Sequence, residues 1–245
     1  DICTADYTLG GNTPVNGTGI WTSDNGAVTF DDASLPNATA SGIPNGTTVT
    51  FTWTISNGVC PDEAEDVAIT RLGALTTPDA GTDQTICEGS TVTLTGNAPN
   101  TGETGTWTGP GTINTPTSAT TTVSGLTAGT HTFTYTMDNG VCTPAASTVD
   151  VVVQAPPTAD ITDPAGTEKS VNTASTTVTA ADPGPGFTGA WTITGNTQGE
   201  TLTPSGFTAT VDGLVTDDPV TVCWRVTDDL GACTFAEECV DVIQR

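Results

Sequence analysis

Seven cysteines are the residues of this chain whose type and spacing point most directly to chemistry. Cys3 and Cys60 lie 57 positions apart, and Cys87 and Cys142 lie 55 apart. Each pair brackets one stretch in which Thr alternates with apolar residues. Matching placement in two stretches predicts two disulfides, Cys3–Cys60 and Cys87–Cys142, each closed within its own domain and formed in an oxidising compartment. Loops of that size would each contribute roughly 4 kcal/mol in the chain-entropy view. The competing reading is pairs of buried free thiols. Cys223 and Cys239 fall on two strands of one hairpin and are positioned to pair across it, which leaves Cys233 as a thiol for an intermolecular bond. The alternative joins Cys233 to Cys239 and leaves Cys223 buried.

Carboxylates come next, because the chain holds 28 acidic residues against four cations, Arg71, Lys169, Arg225 and Arg245. Asp79 and Asp83 flank a glycine between two repeats, and Asp160 and Asp163 hold the comparable place at the next boundary. Calcium takes six to eight oxygens, and loops of this kind supply carboxylates together with backbone carbonyls. Asp217-Asp218 and Asp228-Asp229 lie near strand ends and belong to the same reading. Turn aspartates that cap their own backbone explain the same residues without a metal, and no complete calcium-loop motif is present. No other cofactor is implied.

Catalysis has little to build on. His131 is the one histidine, so a histidine-based triad or metal site lacks its second member. Lys169 is outside any apolar run that would favour an isopeptide bond, and a glycosidase-like carboxylate pair is not singled out by any spacing. The expectation is a non-enzymatic protein. Trp21, Trp53, Trp107, Tyr135, Trp191 and Trp224 recur at equivalent places in successive repeats, which assigns them to cores rather than to sugar-stacking platforms. Threonine rows such as Thr50/Thr52/Thr54 and Thr132/Thr134/Thr136 read as the solvent face of strands, the other reading being a hydroxyl ladder for ice or sugar. Asn16, Asn37 and Asn45 match the glycosylation sequon, which a Thr-rich chain meets often by chance.

The elements that must carry these residues are strands. The segments 46–60 and 129–142 both alternate Thr with apolar residues and both finish Asn-Gly-Val-Cys, and 218–233 is a stretched third copy. Period-two alternation is a half-buried strand, and Asn-Gly is a turn signal. Trp21, Trp107 and Trp191 are 86 and 84 positions apart, a period that fits a Greek-key sandwich of about seven short strands. The fold expected is therefore all-β, three tandem antiparallel β-sandwich domains over 1–73, 74–155 and 156–245, with no helix of any length. Five Trp, seven Cys and the returning alternation argue against disorder despite a net charge of −24. So few cations exclude nucleic-acid binding, and no apolar run of membrane-spanning length occurs. Repeat one starts almost on Cys3, so its opening strand is expected to be missing. The chain then reads either as a window cut from a longer array or as an open edge that takes a strand from a neighbouring subunit.

The run Asp79-Ala80-Gly81-Thr82-Asp83-Gln84-Thr85-Ile86-Cys87-Glu88-Gly89-Ser90-Thr91-Val92-Thr93-Leu94, followed by Gly105-Thr106-Trp107 and Met137-Asp138-Asn139-Gly140-Val141-Cys142, resembles the PKD-like and Ig-like repeats of very large Bacteroidetes surface proteins. Val222-Cys223-Trp224-Arg225-Val226-Thr227-Asp228-Asp229 resembles a PKD-type ending, which makes the third repeat PKD-like. The family includes gliding-motility adhesins and other cargo of type IX secretion, and it has no catalytic residue to carry over. The resemblance implies Ig-like or PKD-like domains at the cell surface, acting as a disulfide-stapled structural or adhesive stalk. A subunit of an extracellular filament and a carbohydrate-binding accessory region of a secreted enzyme are the alternatives. Partners would be neighbouring repeats, copies of the same protein or surface glycans.

Overall fold

The computed structural model describes all residues from Asp1 to Arg245, and every regular element in it is a strand. Residues 1–72 hold β1 (Tyr7–Thr8), β2 (Thr18–Ser23), β3 (Thr29–Phe30), β4 (Thr39–Ser41), β5 (Thr47–Ser56) and β6 (Glu63–Arg71). The middle third holds β7 (Gln84–Cys87), β8 (Val92–Thr95), β9 (Thr104–Thr108), β10 (Thr112–Ile113), β11 (Thr120–Ser124), β12 (Gly129–Asp138) and β13 (Ala145–Gln154). The last holds β14 (Ile161–Asp163), β15 (Glu168–Val171), β16 (Ser175–Ala180), β17 (Phe187–Thr194), β18 (Thr201–Ser205), β19 (Thr208–Asp212), β20 (Val220–Asp228) and β21 (Ala236–Gln244).

Each third folds into two sheets. They are β2-β5-β6 with β1-β4-β3, β7-β13-β12-β9 with β10-β11-β8, and β15-β21-β20-β17 with β14-β16-β19-β18. The alternation in sequence becomes alternation in burial. Phe133, Tyr135 and Met137 of β12 are fully buried, while the intervening threonines face outward. Three separate apolar clusters of 9, 12 and 13 buried residues result, one per domain. Threonines on the outer face bond across strands to aspartates: Thr52 to Asp66, Thr132 to Asp150 and Thr221 to Asp241. Three of the 28 acidic side chains are thereby tied to the sheets.

The second and third domains each contain one parallel strand pair. β7 runs alongside β13 with Cys87 opposite Gln154, and β15 runs alongside β21 with Val171 opposite Gln244. The first domain repeats this in miniature, because Ile2 makes a parallel bridge to Arg71. The expectation that its opening strand is missing is corrected to that extent.

A Gly-x-Trp step shapes each core. Trp21 packs on Trp53, Trp107 on Tyr135 and Trp191 on Trp224, with ring centroids 5.0, 4.6 and 4.9 Å apart. The glycine two residues before the first aromatic of each pair makes room for its partner. A Cβ on Gly19, Gly105 or Gly189 would fall 2.0 Å from Trp53, Tyr135 or Trp224. Gly105→Ala should therefore destabilise the second domain by about 1–3 kcal/mol, the usual cost of overpacking, read as a lower denaturant midpoint with an unchanged slope. A midpoint equal to the parent's would show that Tyr135 can move aside freely.

Candidate functional site

Four of the seven cysteines meet at the two junctions between domains. Disulfides join Cys3 to Cys142 and Cys87 to Cys233, with sequence separations of 139 and 146. A third joins Cys223 to Cys239 across β20 and β21, and Cys60 is free and exposed. Two expectations are corrected here. Cys3–Cys60 and Cys87–Cys142 do not form, and Cys233 is not a spare thiol. Of the two pairings left open in the third repeat, the structure contains Cys223–Cys239.

The physical reason lies in the parallel opening strand. Cys87 ends beside Gln154, at the exit end of β13, whereas Cys142 precedes the entry end of that strand. Ten residues of strand put about 30 Å between them, and a disulfide needs Cα atoms within about 7 Å. The exit end of one domain abuts the hairpin loop of the next, so the opening cysteine reaches the following domain's loop cysteine instead. The two crossing bonds have Cα separations of 5.3 and 4.8 Å.

A side chain in each loop holds its cysteine in place, and this partner was not anticipated from the sequence. Asn57 Oδ1 accepts the Cys60 N–H at 2.8 Å, and Asn139 Oδ1 accepts the Cys142 N–H at 2.9 Å. Asp228, at the same hairpin position in the third domain, accepts the Cys233 N–H at 2.7 Å and the Leu230 N–H at 3.0 Å. The signal was the residue type: Asn and Asp bond the backbone a few residues on. These bonds, that from Cys233 first, hold the Asp228 carboxyl below the ordinary aspartate value of 3.8.

The remaining candidates are dispersed. Asp79 accepts the Gly81 N–H, Asp83 accepts the Asp150 N–H, and Asp163 pairs with Lys169 at 2.7 Å. These three and Asp160 are not drawn together into a cluster of acidic ligands. Cys223, Glu237 and Cys239 lie close together, but both sulfurs are bonded, so one carboxylate remains. His131 meets only the Thr127 carbonyl, at 2.7 Å. Lys169 is engaged by Asp163 and the Thr177 carbonyl. Trp21, Trp53, Trp107, Tyr135, Trp191 and Trp224 are all buried, and Trp21 and Trp53 also line a groove of the first domain. No helix is long and apolar enough to cross a membrane.

No protein-family model and no curated protein matches this chain. Among solved structures, extracellular domains 3–5 of Drosophila OTK overlay with a TM-score of 0.48 at 11% identity, covering 98% of this chain and 91% of that one. The insect immune protein hemolin gives 0.43 at 13%, covering 100% and 72%. The eight N-terminal Ig domains of DSCAM isoform 1.30.30 give 0.47 at 12%, covering 100% and 40%. The architecture stands on the sheets themselves: two per domain, a Trp on the strand opposite the long central one, and a parallel opening strand. The chain is three tandem Ig-like β-sandwiches. No disulfide joins the two sheets within any of them, since Cys223–Cys239 links neighbours in one sheet and the others cross junctions.

The Asp228 loop gives a pH test. Because its folded value is depressed, its contribution is complete above about 3.8 and is lost as the pH falls through the lower folded value. Asp228→Asn supplies the side chain that the other two loops already use. It should keep Cys87–Cys233 intact and lessen the loss of thermal stability below pH 4. An unchanged acid profile would remove Asp228 as the cause.

Proposed function

We propose that this chain is a non-enzymatic, disulfide-stapled stalk of Ig-like domains within an exported bacterial cell-surface protein, serving structural extension or adhesion. The observation that carries the reading is the connectivity. Two bonds cross the two domain junctions, and a third locks the last hairpin. Disulfides of this number belong to oxidising, extracellular settings. The likeness of 79–94 and 222–229 to repeats of Bacteroidetes surface proteins supports export by the type IX route.

Crossing bonds suit a load-bearing element. Under end-to-end force the taut path runs from Asp1 to Cys3, across to Cys142, back to Cys87, across to Cys233 and on to Arg245. That is about 70 residues rather than the full chain, or about 240 Å against about 830 Å at ~3.4 Å per residue. Even with every domain unfolded, most of the chain is shielded from tension.

Single-molecule stretching tests this. Oxidised protein should reach a maximum extension near 240 Å, and reduction should release it to near 830 Å. Equal extensions in the two states would overturn the mechanical role.

A further inference from the structure

The first domain differs from its sisters beside its closing strand. Its β5–β6 pairing sets Phe51 opposite Val67 and Trp53 opposite Glu65. The same positions hold Val149 and Ser147 in the second domain, and Val240 and Glu238 in the third. Val149 and Val240 are 2% and 1% exposed, whereas Val67 is 37% exposed. Beside Val67 runs a groove of about 470 Å³, lined by Leu9, Gly11, Asn12, Trp21, Trp53 and Glu65 among others.

In the sister domains the linker arriving from the preceding domain fills this groove. Ala80 is buried in the second core and Ile161 in the third. The Ala80 N–H donates to Ser147 Oγ at 3.4 Å, and the Ile161 N–H donates to Glu238 Oε2. On the facing strand, the Asn97 N–H donates to the Asp79 carbonyl and the Ala181 N–H to the Asp160 carbonyl, at 3.1 and 2.9 Å. Asn12 stands where Asn97 and Ala181 stand, one residue after the backbone N–H (Gly11, Gly96, Ala180) that closes onto the neighbouring strand. Its N–H donates to no backbone carbonyl of the chain. The first domain thus presents the acceptor Glu65, the donor Asn12 and an apolar seat between them.

Cys60 is free and exposed in the loop that joins β5 to β6, the strand pair carrying Trp53 and Glu65. Its counterparts Cys142 and Cys233 each bond the opening cysteine of the preceding domain, and the linkers enter beside those bonds. The Cys233 sulfur sits 3.6 Å from the Gln154 carbonyl oxygen. A second copy of these 245 residues offers no such thiol. Arg245 N–H donates to the Val171 carbonyl as Leu72 N–H donates to that of Ile2, so Asn172 occupies the place of Cys3.

We infer that the groove of the first domain is an acceptor site for the exit linker of another Ig-like domain stacked on its Cys60 end. The linker is of the Asp-Ala-Gly type, with a small apolar residue seated on Trp21 and Trp53, its N–H bonded to Glu65 and the preceding carbonyl bonded to Asn12. The stacked domain's opening-strand cysteine bonds Cys60. In that step two thiols lose two protons and two electrons to a small disulfide such as oxidised glutathione, which leaves as two thiols. Neither contact depends on where the protein resides.

Two full-chain experiments test the two contacts. In the first, residues 74–84 are added ahead of Asp1 in a Val67→Cys, Cys60→Ser background. Alkylation at position 67 should slow about tenfold or more as the segment closes over it, and the melting temperature should rise. The same segment carrying Ala80→Lys should do neither. Parent-like alkylation and melting with the unaltered segment would overturn the groove assignment.

In the second, a chain carrying Asn172→Cys has residues 73–84 appended after Arg245, so that each copy offers both contacts to the next. In glutathione redox buffer it should give a ladder of reducible multimers that Cys60→Ser abolishes. Monomers with Cys60 unreacted would overturn the bond. Failure of either experiment leaves the stretching result for the two observed junctions unaffected.

Discussion

The whole arrangement depends on one constraint: near the start of each domain a segment runs parallel to the closing strand, as β7 beside β13, as β15 beside β21 and as a single bridge from Ile2 to Arg71. A parallel partner carries the chain to the same end at which the domain exits. The cysteine finishing that strand is thereby delivered to the junction, about a strand's length from the hairpin loop of its own domain. Covalent chemistry follows from this backbone geometry. Once Cys3 and Cys87 stand at exits and Cys142 and Cys233 stand at entrances, crossing bonds are the ones within reach.

These domains need such bonds. Their cores contain only 9, 12 and 13 buried apolar residues, and aromatic pairs supply much of the volume. Small domains with modest cores gain from staples. A bond across a junction also fixes the orientation of neighbours, which an intradomain bond would not. Asn57, Asn139 and Asp228 serve the same end by shaping the loops that hold out Cys60, Cys142 and Cys233. The mechanical consequence, a short taut path through a long chain, needs no contact beyond those already present in the fold.

Much of this was legible in the sequence. Thr alternating with apolar residues specified strands and their buried faces, the Trp period set three units, and repeated placement of the aromatics assigned them to cores. The disulfide partners were misread because spacing in sequence was taken for nearness in space. Cys3 to Cys60 and Cys87 to Cys142 are similar intervals since each spans one domain from exit end to entry end. The equality that suggested a bond records the length of the fold. Ile86-Cys87 placed after a linker, with a closing strand still to come, does not reveal whether it will pair parallel or antiparallel. The groove beside Val67 was hidden for a related reason: its emptiness appears only when Val67 is set against Val149 and Val240 in register.

Disulfide mapping of the native protein tests the central claim most directly. Peptic digestion at low pH, which suppresses thiol exchange, followed by mass analysis of the unreduced peptides should recover Cys3 linked to Cys142, Cys87 linked to Cys233 and Cys223 linked to Cys239, with Cys60 alkylatable beforehand. Recovery of Cys3 linked to Cys60, or of Cys87 linked to Cys142, would contradict the account.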